Sequence, residues 1–165
     1  MRSGFSIHVT NENLKFSAAH FIAYPGFREP LHGHDYQVGV RIEGNLAPTG
    51  YVLDFGLIKK LIRQITSGLN ERTIIPGNSD CLVIKRVGNE LSVLYGTDHF
   101  AFPLSDVAIL PIVHTSAEEL ARYIWTELHL ALKALDALAE IISIEISVAE
   151  GPSQSAIYSE NIAKF

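Results

Sequence analysis

The chain has 165 residues, of which 47% are hydrophobic and 19% charged, a composition typical of a globular protein. This length suits a single domain, which we expect to span residues 1–165. The formal net charge of −5 argues against a nucleic-acid partner and against a polybasic membrane patch. We find neither a membrane-spanning run nor a signal-peptide core, and the single cysteine, Cys81, cannot form an internal disulfide. These features predict a cytoplasmic protein.

The first part of the chain predicts paired strands followed by a helix. Residues 4–10 and 13–20 are expected to form a hairpin that turns near "TNEN". Residues 34–44 alternate between apolar and polar side chains, as in a half-buried strand. The apolar face of that strand carries Tyr36, Val38, Val40 and Ile42. After "VLDFG", a helix is predicted by apolar residues at helical spacing, namely Leu57, Ile58, Leu61, Ile62, Ile65 and Leu69.

The middle of the chain, at about 78–110, reads as a β-rich insert. Residues 81–87 and 90–95 are predicted to form a hairpin around "VGNE", and short extended pieces are expected near 99–103 and 107–110.

A second helix and two further strands complete the pattern. The helix opens with "TSAEEL", where Ser116 can act as the N-cap and Glu119 can complete a capping box. Strands are predicted over 141–149 and 154–160. The order of elements indicates an α+β fold, with two helices on one face of an antiparallel sheet. The helix stripe comprises Leu120, Ile124, Leu128, Leu132 and Leu135, and the inward strand face comprises Ile142, Ile144, Ile146 and Val148.

Three histidines fall on apolar strand faces. His34 shares the face of the apolar residues of its strand, and His32 joins it if the extended backbone continues through Gly33. His20 follows the apolar parity of the preceding segment. Three imidazoles with one open coordination position are typical of a catalytic zinc site. The alternative is that these are partly buried histidines with structural hydrogen bonds.

Two glutamates stand at positions that could carry chemistry. Glu150 continues the inward parity of the strand predicted over 141–149, so a carboxylate stands where an apolar side chain is expected. Because a buried carboxylate needs partners, Glu150 is either solvated beyond the strand end or an acceptor for an amidine-like N–H edge of a ligand. Glu29 lies in a loop between Gly26 and Pro30, just before His32. It is either a solvated loop residue or a general base close to a metal-bound substrate.

Five segments, taken in order, resemble the 6-pyruvoyltetrahydropterin synthase family, which includes the 6-carboxytetrahydropterin synthases. They read "FSAAH", "LHGHDYQVGV", "GYVLDFGLIKKLI", "HTSAEELARYIW" and "ISVAEGPSQSAIY", and they run from about Phe16 to Tyr158. The combination is specific, whereas H-G-H alone is a weak motif.

This resemblance implies a fold, an assembly and a set of site residues. The fold is the T-fold, a sheet with two helices that assembles through trimeric barrels into homohexamers. Its active sites lie between subunits and hold Zn²⁺ and a small-molecule pterin. His20, His32 and His34 correspond to the zinc ligands of the family. Glu150 corresponds to the glutamate that anchors the pterin, and Thr115 and Ser116 correspond to residues that line the pterin pocket.

One departure from the family concerns the catalytic residue. Typical members carry a cysteine shortly before H-G-H, but here Glu29 stands there, as E-x-x-H-G-H. This looks like the folate-pathway branch of the family, in which glutamate replaces cysteine. That branch cleaves the side chain of 7,8-dihydroneopterin triphosphate and releases 6-hydroxymethyl-7,8-dihydropterin.

A second departure follows the first helix, where members carry an Asp-His pair that assists proton transfer. Asn70 and Glu71 occupy that place here, so either Glu71 takes over the proton transfer or Glu29 works without the pair. The one Asp-His pair of the chain, Asp98-His99, lies in the insert.

Other functions remain open from the sequence. The chain could form a 6-pyruvoyl- or 6-carboxytetrahydropterin, or it could bind pterin without turnover, or its histidines could be structural. Arg28 and Arg72 are candidates for binding the triphosphate, because each adjoins a motif.

Overall fold

A computed structural model describes residues 4–162, apart from the side chains of residues 11 and 12. The described chain forms two helices, eleven strands and a short 3₁₀ turn at Leu104–Asp106. In chain order the strands and helices are β1 Phe5–His20, β2 Ala23–Tyr24, β3 Phe27–Arg28, β4 His32–Gly44, α1 Phe55–Ser67, β5 Arg72–Pro76, β6 Val83–Val87, β7 Glu90–Tyr95, β8 Asp98–Pro103, β9 Val107–Leu110, α2 Ala117–Ala134, β10 Ile141–Gly151 and β11 Gln154–Asn161.

Six strands form the main sheet, in the order β11-β10-β4-β1-β5-β9. The α+β class with two helices is confirmed, but the sheet is mixed rather than wholly antiparallel. β5 runs parallel to β1, and β9 runs parallel to β5. Parallel neighbours need a long crossover connection, and here the chain passes through β4 and α1 before it returns beside β1 as β5.

The predicted hairpin of residues 4–10 and 13–20 is wrong, because β1 is one continuous strand. Both halves pair with β4, and the register shifts between Thr10 and Lys15. Five steps along β1, from Thr10 to Lys15, oppose only two along β4, from Gly39 to Gln37. β1 therefore has three more residues than β4 across this shift. Because three is an odd number, the inward-facing positions change from odd-numbered to even-numbered residues along β1, and a turn would produce the same change.

Both helices pack against one face of the main sheet. The predicted strand face of Tyr36, Val38, Val40 and Ile42 is buried, as are most residues of the helical stripes. Leu135 is an exception, since it follows the last residue of α2 and is exposed. The Ser116 side chain caps α2 by accepting from the Glu119 backbone N–H, while the Glu119 carboxylate pairs with Arg122.

The inward face of β10 differs from the prediction at one position. Ile142 is exposed and Ile141 is buried, whereas Ile144, Ile146 and Val148 face inward as expected. The register with β4 shifts between Ile141 and Ser143, so the alternation slips by one residue at the start of the strand.

The predicted insert forms a separate three-stranded sheet of β6, β7 and β8. The strands near 81–87, 90–95 and 99–103 are therefore confirmed, and β9 returns to the main sheet. A second small core lies under this insert; its buried members are Phe21, Ala23, Ile75, Leu82, Leu91 and Val93. No helix within residues 4–162 is long and apolar enough to cross a membrane.

Candidate active site

The three histidines converge where the end of β1 meets the start of β4. His20 lies directly opposite His32 in the antiparallel register, and His34 lies opposite Ala18. One ring nitrogen from each histidine lies within 4.8 Å of those of the other two. His20 is buried, His34 is half-buried and His32 is exposed, so the cluster opens from the core to the surface.

Gly33 lets the two strands approach closely between the histidines of β4. A Cβ atom at this position would lie 2.8 Å from the backbone oxygen of Ala18 and 3.4 Å from the Cα atom of Ala19. Only glycine fits this spacing without a backbone shift. The H-G-H motif therefore sets how tightly the histidine-bearing strands can pair.

Backbone carbonyls fix the orientation of two of the imidazoles. His20 Nδ1 donates to the Thr115 backbone oxygen at 2.8 Å, and His32 Nδ1 donates to the Pro30 backbone oxygen at 2.8 Å. This arrangement leaves the Nε2 lone pairs free to bind a metal. His20 Nε2 is buried and has no hydrogen-bond partner in the described residues.

The protonation state of His20 also suits a metal ligand. Burial lowers the pKa of His20 below 6.5, outweighing the opposing effect of the hydrogen bond to Thr115, and the neighbouring His32 lowers it further. Neutral imidazole is the form that binds metal, and three nitrogen donors fit Zn²⁺ with one position open. The donor set therefore fits zinc.

Tyr36 is a site residue that the sequence analysis assigned only to the core. Its ring lies edge-on to His20 and His34, with centroid separations of 5.9 Å and 5.5 Å. Its hydroxyl is buried and lacks a hydrogen-bond partner within the described part of the chain. Burial raises the pKa of Tyr36, and the charges of Glu150 and Glu29 raise it further. A tyrosine on the same strand face as His34 was the available signal.

Glu150 lines a pocket near the start of α2. β10 extends to Gly151, so the strand does not end at Ala149, and the Glu150 side chain is half-buried. Its carboxylate accepts a hydrogen bond from Gln154 at 3.4 Å. Together with Ile22 and Ser116, it lines a cavity of about 260 Å³.

The two residues at the start of α2 have different environments. Ser116 lines the cavity with Glu150 and caps the helix. Thr115 is fully buried, and its hydroxyl donates to the Phe21 backbone oxygen at 2.8 Å. Its own backbone oxygen holds His20, so Thr115 contacts the histidine cluster through the main chain.

Glu29 is half-buried and tied to the segment that follows β1. Its carboxylate accepts from the Ile22 backbone N–H at 3.0 Å, and its own N–H donates to the Ile22 oxygen at 2.9 Å. Glu29 is joined to the histidine cluster through the chain, since the next residue, Pro30, supplies the carbonyl that accepts from His32.

Glu71 lies outside the histidine cluster, in a second pocket of about 560 Å³ of which His34 forms part of the wall. Its backbone adopts a positive φ of 57°, and its N–H donates to the Ser17 oxygen at 2.7 Å. Asn70 accepts from the Ser17 N–H at 2.9 Å. Arg72, which lines the same pocket, donates to the Ser105 backbone oxygen.

Comparison with known proteins identifies the family. The sequence model of the family described as 6-pyruvoyl tetrahydropterin synthase matches residues 9–161. The chain belongs to this family. A Methanocaldococcus jannaschii protein named as a 6-carboxy-5,6,7,8-tetrahydropterin synthase is 35% identical over 146 residues, which cover 88% of this chain and 89% of that protein.

Solved structures confirm the T-fold. Plasmodium vivax 6-pyruvoyl tetrahydropterin synthase superposes with a TM-score of 0.93 at 34% identity, covering 98% of this chain and all of the other. That protein has also been solved with a glutamate, described as a catalytic residue, replaced by alanine. A Pyrococcus furiosus dihydroneopterin monophosphate aldolase is 36% identical over 59 residues, or 36% of this chain and 50% of that protein.

Proposed function

We propose that this family member is a zinc-dependent lyase that cleaves the side chain of 7,8-dihydroneopterin triphosphate. The product would be 6-hydroxymethyl-7,8-dihydropterin, an intermediate of folate synthesis. The observation that carries this proposal is Glu29, which is half-buried and precedes His32 by three residues, where typical members have cysteine. The catalytic glutamate of the P. vivax protein and the aldolase from P. furiosus support the same chemistry.

His20, His32 and His34 would hold the zinc ion. When bound, zinc would act as a Lewis acid that makes the side-chain hydroxyls of the substrate more acidic. The two backbone carbonyls that accept from His20 and His32 keep both imidazoles in the tautomer that can bind it.

Glu29 would act as the general base. Its carboxylate takes the proton of the hydroxyl on the second side-chain carbon, and that hydroxyl becomes an aldehyde as the bond to the first side-chain carbon breaks. The electron pair of that bond passes into the pterin ring. Returning a proton to the first carbon gives the hydroxymethyl group, so the reaction is a balanced retro-aldol cleavage.

Glu150 and Ser116 would bind the pterin. The Glu150 carboxylate can accept two N–H groups from one edge of the ring, and Ser116 lines the same cavity. We propose that Glu71 assists proton transfer from the neighbouring pocket that it shares with His34.

The implied assembly is a homohexamer with active sites between subunits. Membership of the family supports this assembly, and so does the polar character of the sheet face opposite the two helices. That face is not covered by helices, and Lys15, Ser17, Asp35 and Gln37 are exposed on it.

A second candidate function is formation of a 6-carboxy- or 6-pyruvoyltetrahydropterin, which the name of the M. jannaschii relative favours. Elimination of triphosphate requires removal of a carbon-bound proton, for which a carboxylate is a weak base. Cleavage requires removal of a hydroxyl proton only. Glu29 therefore favours cleavage over elimination.

Replacing Glu29 by Gln tests the assignment of the base. The Glu29→Gln protein should bind zinc as the wild type does but lose turnover of 7,8-dihydroneopterin triphosphate by a factor on the order of 10³. Zinc content would be measured by metal analysis and turnover by chromatography of the pterins. Glu127→Gln, on α2, is the matched control. Wild-type turnover in Glu29→Gln would refute the role of Glu29.

A further inference from the structure

The β6–β8 sheet, which comes from the insert, contacts the segment that carries Glu29. The Tyr95 hydroxyl donates to the backbone oxygen of Tyr24 at 3.0 Å. The rings of Phe21 and Phe100 stack with centroids 4.9 Å apart. The insert therefore packs on Phe21, just before β2, and on Tyr24 within β2, a few residues before Glu29.

Arg28 forms the polar part of this contact. Its Nε and one terminal nitrogen donate to the same carboxylate oxygen of Asp98, at 2.9 Å and 2.7 Å. Its other terminal nitrogen donates to the Glu29 backbone oxygen at 2.7 Å. The guanidinium carbon lies 5.0 Å from the centroid of the Phe100 ring, within the range of a cation–π contact.

These bonds connect an insert carboxylate to the main chain of Glu29. Asp98 holds the planar guanidinium, and the guanidinium holds the Glu29 carbonyl, while Ile22 binds both the N–H and the carboxylate of Glu29. Since the guanidinium is planar, fixing two of its nitrogens fixes the direction of the third. The position of the Glu29 carboxylate then depends on an ion pair made far away in sequence.

We propose that Asp98 is a positioning residue that acts through Arg28 to hold Glu29 in its catalytic position. This inference rests on the proposed function of Glu29 as the base. It also assigns a role to the insert, which tethers the catalytic loop. The Asp98-His99 pair does not act as a unit here, because His99 bonds to Ser92 at 3.0 Å instead.

The geometry separates this role from two others. Asp98 neutralises Arg28, which makes the guanidinium a poor site for the substrate triphosphate. The side chains of Arg28 and Asp98 are 21% and 49% exposed, and ion pairs this open to water contribute little to global stability. Loss of Asp98 should therefore change the rate of the reaction more than the folding of the protein.

The experiment measures steady-state kinetics of the zinc-loaded Asp98→Asn, Asp98→Glu and Glu90→Gln proteins with 7,8-dihydroneopterin triphosphate. Asp98→Asn should lower kcat on the order of 10-fold, with KM, zinc content and Tm close to wild type. Asp98→Glu should restore much of the loss, because it keeps the charged carboxylate, whereas the amide oxygen of Asn is a neutral and weaker acceptor. Glu90→Gln removes an exposed carboxylate from the same small sheet and should change nothing.

If the wild type is active, three results would overturn the proposal. One is an unchanged kcat in Asp98→Asn, and another is a change confined to KM, which would place the pair in substrate binding. The third is a loss of kcat that follows a comparable fall in Tm, which would make Asp98 merely structural. An inactive wild type would instead overturn the proposed function, and this inference with it.

Discussion

Thr115 shows how a family correspondence and a contact can differ for one residue. The resemblance assigns it to the lining of the pterin pocket, but its side chain is fully buried and bonded to the Phe21 backbone oxygen. Its carbonyl holds His20 Nδ1. The structure therefore favours a role for Thr115 in orienting the candidate metal ligand through its main chain.

Replacing Thr115 by Val distinguishes these roles. The substitution keeps the shape and the carbonyl but leaves the Phe21 oxygen without its donor, so it should lower the free energy of unfolding by about 1–2 kcal/mol. Zinc affinity, measured by competition with a chelator, should stay within about 3-fold of wild type because the carbonyl remains. A large rise in KM for the pterin at unchanged stability would show instead that the hydroxyl contacts the substrate.

At the level of single residues, parity predicted much of the site. Alternation put His20, His32 and His34 on inward strand faces, and the family resemblance implied one shared site, where the structure brings the three together. It did not predict that the Tyr36 hydroxyl would be left without a partner, nor that Asp98 would reach Arg28. Those features depend on how the small sheet and α2 pack, which local patterns do not encode.

At the level of elements, the pairing of β1 with β4 determines the geometry of the histidine cluster. The two strands lie close at Gly33, where an added Cβ atom would lie 2.8 Å from the Ala18 oxygen. Gly33 is opposite Ala19, and the adjacent pair along the same ladder is His20 with His32. Any separation of the strands at Gly33 is therefore transmitted to these ligands.

Gly33→Ala should push the strands apart at this point. We expect a loss of about 1–3 kcal/mol in the free energy of unfolding and a fall of about 10-fold or more in zinc affinity. Calorimetry and chelator competition measure the two effects. Gly151→Ala, where an added Cβ atom meets nothing within 4 Å, is the control. Unchanged zinc affinity in Gly33→Ala would mean that the cluster does not depend on this contact.

The elements that the sequence did not predict share a physical cause. The irregularity in β1 changes which alternate residues face inward, and a turn would have the same effect on the pattern. The register shift at Ile141–Ser143 moves Ile142 to the surface. The parallel direction of β5 and β9 depends on where the chain returns after long connections. Helix and strand periods are local properties, whereas register and direction are set by distant partners.

At the scale of the whole molecule, the stability of the metal-free protein should depend on pH through His20. Its pKa is lowered in the folded state, so the unfolded chain takes up a proton first as the pH falls below about 6.5. Stability should therefore be present above that pH and should decrease as the pH falls toward the lowered pKa. Zinc binding should weaken in the same direction, because the proton and the metal compete for the imidazole.

Thermal unfolding of chelator-treated protein between about pH 7.5 and 5.5 measures this effect. The Tm of His20→Gln should fall less over this range than that of the wild type. His129→Gln, which changes a histidine beside Trp125 on α2, is the matched control. An equal slope in wild type and His20→Gln would show that another group accounts for the dependence.

We propose that this family member cleaves the pterin side chain rather than eliminating triphosphate. The most direct measurement is to incubate the zinc-loaded protein with 7,8-dihydroneopterin triphosphate and to identify the pterin products by mass spectrometry. We expect 6-hydroxymethyl-7,8-dihydropterin as the main product. A 6-pyruvoyl or 6-carboxy product would contradict the Glu29 mechanism, and recovery of unchanged substrate would indicate a protein that binds pterin without turnover.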